Sequence, residues 1–317
     1  MTSILFPFAS FVLTCAALIV LLHTDLKSLA LDIPNQRSLH NKVIPRSGGL
    51  AIMAGIVLTC AFHAWLWIVP LLLLLAVSLI DDIRGLAIQW RFLIQTIVVS
   101  LFVYFLGLGL GWWIDACVIF LIVWMLNLYN FMDGADGLAG GMALIGFTAY
   151  AVVAYIGQDM TIFLICASAA SSSLAFLLFN FNPAKIFMGD SGSIPLGFLA
   201  AAIGVYGWQH DLWAVWFPVA VFSPFIMDAT ITLMTRLVKG EKIWLAHRSH
   251  YYQRVIQMGW GHKKTAIAEY VLMAVMAISA GLVLYHHELL AWAGLVWITL
   301  YALLIWLVNK AWNKFPV

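Results

Sequence analysis

The sequence predicts an all-α, polytopic membrane protein, and three observations carry that expectation. The 317 residues are 64% hydrophobic and only 9% charged, whereas a soluble domain carries about 25% charged residues. The mean hydropathy is +0.99, and several continuous apolar runs reach the roughly 20 residues that a membrane helix needs. The alternating pattern of a transmembrane β-barrel strand, in segments of about ten residues, is absent.

Taken in order, the apolar runs predict about eleven spans: residues 4–22, 48–63, 65–80, 92–110, 112–128, 141–157, 161–179, 194–208, 212–235, 265–285 and 289–308. The first has no basic stretch before it and no A-x-A-like cleavage site after it, so it reads as a retained helix. The second and third are short and share a tight turn near His63 and Ala64. A single chain-long domain, residues 1–317, follows from the lack of any linker or repeat. Cys15, Cys60, Cys117 and Cys166 each lie alone in an apolar run, without a CxxC spacing, and read as packing residues.

The polar breaks between spans are not equivalent. All 16 Lys and Arg residues fall in alternate breaks or the C-terminal tail. The intervening breaks hold Asp115, Asp159, Asp211 and Glu288 instead. Cytoplasmic loops collect Lys and Arg, so this parity predicts a cytoplasmic C-terminus, an outer N-terminus and a site on the cytoplasmic face of the membrane.

Five clusters on that face carry candidate chemistry. Asp81 and Asp82 end the third span; neighbours on a helix point about 100° apart, so they serve two tasks rather than share one proton. In NLYNFMDGADGLAGG, residues 127–141, Asn127, Asn130 and Asp133 recur at spacing three and fall near one helix face, with Asp136 following through a glycine turn. These oxygen ligands suit a hard cation such as Mg²⁺, and the glycines would let a backbone approach phosphate closely. Residues 187–193, FMGDSGS, offer Asp190 as an oxygen ligand and helix-start amides for an anion; Lys185 lies just before. His247, Arg248 and His250 supply imidazoles and a phosphate-binding guanidinium. Lys42 and Arg46 lie in a basic, proline-kinked break ending in Gly48 and Gly49, suited to gripping a phosphate. Asp228 and Glu269 stand in apolar spans, where ionisable groups are functional by default. Neither an EF-hand nor a zinc site fits the spacing.

In order, spacing and side, these motifs resemble the polyprenyl-phosphate N-acetylhexosamine-1-phosphate transferases, the MraY/WecA superfamily, across roughly residues 30–255. The matching segments are RSLHNKVIPRSGG from Arg37, DDIR from Asp81, NLYNFMDGADGLAGG from Asn127, FMGDSGS from Phe187 and HRSH from His247. The resemblance implies transfer of a sugar-1-phosphate from a UDP-sugar to undecaprenyl phosphate with release of UMP, and a need for Mg²⁺ or Mn²⁺. It implies Asn130 and Asp190 as metal ligands, and Asp81 as base or nucleophile supported by Asp82. Asp133 and Asp136 would act on the nucleotide-sugar side, with His247 and His250. Lys42, Arg46, Asn127, Lys185 and Arg248 would bind the substrates. Nucleic acid is not an expected partner, and a homodimer is compatible with this reading.

The muramyl-pentapeptide branch carries three His where this chain has HRSH, and Lys where Arg84 stands; Arg and Lys are not equivalent. The polysaccharide-initiating branch, using UDP-N-acetylglucosamine or a 6-deoxy relative such as UDP-N-acetylfucosamine, is therefore expected. An anion or proton transporter would place polar groups on both sides. A CDP-alcohol phosphotransferase would continue Asp-Gly with Ala-Arg, where Ala135-Asp136 stands here.

Overall fold

The structure, a computed structural model, describes residues 2–34, 39–40, 42–242, 245 and 247–315, with nothing said of the side chains of residues 2–4. Arg37, the first residue of the basic motif, lies outside the described residues, as do Ser38 and Asn41 of that motif.

The chain is a helical bundle. Its elements are α1 (Thr2–His23), α2 (Gly48–His63), α3 (Trp65–Arg84), α4 (Ile88–Leu106), α5 (Trp112–Phe131), α6 (Leu138–Ile156), α7 (Met160–Asn180), α8 (Asp190–Gln209), α9 (Trp216–Val221), α10 (Ser223–Val238), α11 (Tyr251–Val255), α12 (Gly261–Tyr285) and α13 (Leu290–Trp312). Among the described residues, nine helices are long and apolar enough to cross a membrane. Two expected spans depart from that pattern. Helix α2 has only 16 residues, and α3 begins one residue later, beyond Ala64. The expected span 212–235 is two helices broken at Phe222. The break has a local cause: Pro224 has no N–H to continue the ladder, and the Ser223 hydroxyl donates to Ala220 O instead, at 2.7 Å.

Among the described residues the strands are confined to a short antiparallel pair, β1 (Leu31–Asp32) with β2 (Ile44–Pro45), Leu31 opposite Pro45. It anchors the basic break: Phe187 N–H donates to Pro45 O at 2.7 Å, and Arg46 N–H to Ala30 O at 3.0 Å.

Burial does not follow apolarity, as expected where lipid is the solvent outside. Helix α8 is the least apolar of the nine spans, yet 78% of its apolar window is buried, against 6% for α13. It packs against α2, α3, α5, α6 and α9. Small polar side chains tie the neighbouring helices: Ser10 Oγ donates to Gly55 O at 2.8 Å, and the Thr59 and Ser168 hydroxyls pair at 2.8 Å. The start of α8, beginning at Asp190, is thereby placed among the ends of α2, α3 and α5.

Candidate active site

Asp81 and Asp82 diverge as their helical geometry demands. Asp82, buried at the end of α3, reaches across to α8: its Oδ2 accepts Ser191 N–H at 2.9 Å and its Oδ1 accepts Asp190 N–H at 3.2 Å. It caps α8 from another helix, satisfying amides that a helix start leaves free. Arg46 closes the clamp, with Nη2 donating to Asp82 O at 2.6 Å and Nε 3.7 Å from Oδ1. Asp81 turns the other way. Its Oδ2 lies 2.9 Å from Arg91 Nη1, while Arg91 Nη2 lies 3.3 Å from Asp190 Oδ2. One guanidinium from α4 thus links the two carboxylates.

Gly189 makes this junction possible. Its φ is +72°, and a Cβ there would sit 2.3 Å from Arg46 O and 2.9 Å from Asp82 Oδ2. Only glycine accepts both constraints.

The loop between α5 and α6 supplies the opposite wall. Asn130 Nδ2 donates to Asp190 Oδ1 at 2.8 Å and to Ser193 Oγ at 2.9 Å. The Asp133 carboxyl is pushed well above the usual range by burial, and by the charges of Asp190 and Asp82. Asp136 behaves differently. Burial pushes its carboxyl up, but hydrogen bonds from His262 and Asn182, the His262 charge and the Ala184 amide outweigh that, and its pKa is lowered. Asn182 Nδ2 donates to Asp136 Oδ2 at 2.7 Å, and His262 Nδ1 lies 3.4 Å from Oδ1. His262 Nε2 lies 3.1 Å from Leu39 O, so Asp136 also holds the N-terminal loop in place.

The HRSH segment leads into α11, with His250 at its N-cap position. His250 is buried, with Nδ1 3.2 Å from Asp228 Oδ1, and its N–H donates to Gln253 Oε1 at 3.2 Å. His247 lies with its ring 4.8 Å from that of His250. Burial, His250 and Arg236 depress its pKa to about 4, so it is neutral near pH 7.

These walls enclose a cavity of about 320 Å³. Asn130, Asp133, Asp136 and Asp190 line it together with Arg46, Asp32, His40 and His262. Asp81 and Arg91 line a narrow adjoining cleft with Ser78, Gln95 and Asp190. The oxygen donors are carboxylates and side-chain amides, the chemistry of a hard cation, with the imidazoles of His40 and His262 beside them. Crowded carboxylates that raise the Asp133 pKa are a second sign, since an added cation would relieve them. Among the described residues no three His, Cys, Asp or Glu side chains converge as a ready-made ligand set. That fits Mg²⁺, which commonly takes one or two carboxylates and fills its octahedron with water and substrate phosphate.

Several expectations need correction. Asn127 does not face the cavity; its Nδ2 donates to Gln95 Oε1 and Val123 O, both at 2.8 Å, inside the α4–α5 contact. Lys42, Lys185 and Arg248 are exposed and do not line the cavity. His247 and His250 border it only through Gln253. The start of α8 has no amides spare for an anion, because Asp82 takes two and Gly189 O accepts from Gly192 and Ser193. At the start of α2, Gly48 and Gly49 likewise donate to Phe187 O and Met188 O, at 2.9 and 2.8 Å. Several glycines clear room for protein contacts: a Cβ at Gly49 would lie 2.1 Å from Gly192 N, at Gly134 2.2 Å from Tyr252 OH, and at Gly141 1.9 Å from the Tyr270 ring, while Gly134 and Gly189 also line the cavity.

Arg91, Asn182, His262 and the Asp32–His40 pair, 3.1 Å apart, are site residues that sequence reasoning missed. Arg91 gave one signal: an arginine in the first turn of an apolar span needs a carboxylate nearby.

The family model for glycosyl transferase family 4 matches residues 64–208. The chain is 28% identical to a probable undecaprenyl-phosphate N-acetylglucosaminyl 1-phosphate transferase of Bacillus subtilis, over 88% of this chain and 82% of that protein. It is 31% identical to a phospho-N-acetylmuramoyl-pentapeptide-transferase of Listeria welshimeri, over 62% of this chain and 70% of that protein. An undecaprenyl-phosphate alpha-N-acetylglucosaminyl 1-phosphate transferase of Yersinia pestis is 26% identical, over 84% of this chain and 80% of that protein.

Proposed function

The chain belongs to glycosyl transferase family 4, and from that membership we propose that it transfers an N-acetylhexosamine-1-phosphate from a UDP-sugar to undecaprenyl phosphate. An oxygen of the lipid phosphate forms a bond to the β-phosphorus of the donor. The bond from that phosphorus to the bridging oxygen breaks, and UMP leaves. The observation that carries the reading is the convergence, at one end of the bundle, of Asn130, Asp133, Asp136 and Asp190 with Arg46 in one cavity, beside a cleft holding Asp81 and Arg91.

Each group has a task in that reaction. The cavity takes the nucleotide-sugar, with Arg46 facing its diphosphate and Asp133 and Asp136 on the sugar-nucleotide side. Asn130 and Asp190 hold Mg²⁺, which supplies positive charge to the diphosphate when bound. Asp81 takes the proton of the lipid phosphate, and Arg91 keeps that carboxylate next to Asp190. The lipid phosphate meets Asp81 where α3, α4 and α8 converge.

The donor is UDP-N-acetylglucosamine or a 6-deoxy N-acetylhexosamine such as N-acetylfucosamine, and the product initiates a cell-surface polysaccharide such as O-antigen. The HRSH segment supports this choice, as does the alignment to the two N-acetylglucosaminyl transferases, which spans more of the chain than that to the pentapeptide transferase. The Lys and Arg parity supports an inner-membrane protein with its site and C-terminus in the cytoplasm. Incorporation of label from a panel of UDP-sugars into undecaprenyl phosphate in proteoliposomes tests the reading. Label from the β-phosphate should enter lipid with N-acetylglucosamine or N-acetylfucosamine. Turnover confined to UDP-MurNAc-pentapeptide would assign the other branch, and no transfer of any sugar-phosphate would reject the function.

A further inference from the structure

We propose that Asp228 is the positioning residue of the HRSH segment: through His250 Nδ1 and the first two amides of α11 it sets the tautomer of His250 and the seat of α11 against the cavity. This rests on the transferase reading, in which the cavity lined by Gln253 of α11 takes the substrate. The sequence leaves Asp228 as an acid in an apolar span without a partner. The structure supplies four. Its Oδ1 accepts Tyr251 N–H at 2.8 Å and the Thr232 hydroxyl at 3.2 Å, and lies 3.2 Å from His250 Nδ1; its Oδ2 accepts Tyr252 N–H at 2.9 Å.

Helix α11 runs on through a π-helical turn at Ile256–Trp260, kinked at Gly259, and its first amides, like those of any helix start, need partners from outside the helix. Asp228 satisfies its free amides from α10, as a capping side chain would. What α11 carries then reaches two walls of the site. Gln253 lines the cavity. The Tyr252 hydroxyl donates to Phe131 O at 3.2 Å and packs against Gly134, on either side of Asp133. A displaced α11 would move both.

The His250 ring is wedged between aromatic faces, 5.9 Å from Tyr252 and 6.2 Å from Phe131. A carboxylate at Nδ1 calls for a proton on that nitrogen, which leaves Nε2 as the other hydrogen-bonding position of the ring. Carboxylate-oriented imidazoles of this kind lose function sharply when the acid becomes an amide, because the tautomer changes while the shape survives.

Two measurements test this. The first compares the transfer kinetics of Asp228→Asn, His250→Ala and the double variant, with folded protein counted by size-exclusion in detergent. Each single variant should lose 10- to 100-fold in kcat/KM with the same division between kcat and KM, and the double should fall within about threefold of the worse single. Asp228→Glu, which keeps two acceptor oxygens, should recover part of the loss. Multiplying losses in the double, or a wild-type rate in His250→Ala beside a slow Asp228→Asn, would overturn the proposal. The second is ¹⁵N NMR of histidine-labelled wild-type protein in nanodiscs, which should find His250 protonated at Nδ1; a bare Nδ1 would overturn it without any Asp228 variant. Wild-type protein that transferred no sugar-phosphate would be the failure of the transferase reading instead, and the NMR result would still decide the Asp228–His250 pair.

Discussion

Gly49→Ala isolates the α2–α8 crossing without touching any side chain assigned to substrate. A Cβ at Gly49 would lie 2.1 Å from Gly192 N and 2.4 Å from Gly192 Cα, whereas ordinary contact begins at 3.4 Å. Both obstacles are backbone, so the two helices must part by about 1.3 Å. The bonds from Gly48 to Phe187 O and from Gly49 to Met188 O, now 2.9 and 2.8 Å, would then pass beyond hydrogen-bond range. Overpacking costs about 1–3 kcal/mol and each lost bond about 1 kcal/mol, so about 3–5 kcal/mol of stability should go. Asp190 starts the displaced helix, and misplacing a catalytic group by about 1 Å costs roughly 10²-fold in rate. Thermal unfolding in detergent and transfer of labelled sugar-phosphate in proteoliposomes read the two effects. Gly281→Ala is the matched control: a Cβ there meets nothing within 4 Å, and Ala in place of Gly in a helix adds about 1 kcal/mol. A Gly49→Ala protein that melts and turns over like the wild type would refute the crossing as described.

Asp82→Asn should lower stability by about 2–3 kcal/mol, because one oxygen that accepts an α8 amide becomes a donor facing it; an unchanged melting curve would remove Asp82 from its clamping role. Mn²⁺ binding followed by electron paramagnetic resonance, in the presence of UDP-sugar, should be lost in Asp190→Asn and weakened at least tenfold in Asn130→Ala, and chelation of divalent ions should stop transfer; tight Mn²⁺ binding by Asp190→Asn would exclude that carboxylate as a ligand. Metal affinity should also depend on pH through Asp133. Its pKa is raised in the metal-free fold, so a cation entering beside Asp190 expels its proton, and affinity climbs with pH until Asp133 is already ionised. The same shift means that the folded state binds more protons than the unfolded one between the two pKa values. Metal-free stability should therefore fall as pH rises above the ordinary carboxylate range, and added metal should restore it. Asp133→Asn should flatten both dependences, and a steep pH dependence surviving in that variant would show that another group is responsible.

What the sequence revealed and what it hid divide along one physical line. The clustering of the motif loops was legible because membrane helices report their ends: each apolar run must stop, and charged residues in alternate breaks label one end of the bundle. The contacts of Arg46 with Asp82, and of Asp136 with His262, confirm that the breaks holding these residues meet. The division of labour within the clusters was not legible, because it depends on angles finer than a motif. Asn127 and Asn130 are three residues apart, which rotates them 60° from alignment and separates them by about 4.5 Å along the axis. That suffices to turn one amide into the α4 contact and the other onto Asp190. Asp81 and Asp82, a further step out of phase, end on Arg91 and on the α8 amides.

Glycine is the most ambiguous residue of all in this setting. The sequence DGADGLAGG reads equally as a phosphate cradle or as a surface cleared for another part of the protein, since in both cases a Cβ is what must be missing. Only the partner distinguishes them. Here the partners of Gly49, Gly134, Gly141 and Gly189 are Gly192, Tyr252, Tyr270 and Arg46. With the amides at the starts of α2 and α8 also taken up by the protein, the transferase reading assigns most of the diphosphate charge to side chains and a cation. In this structure the loop glycines bring the acidic and cationic groups within reach of one another, and the chemistry rests with those groups.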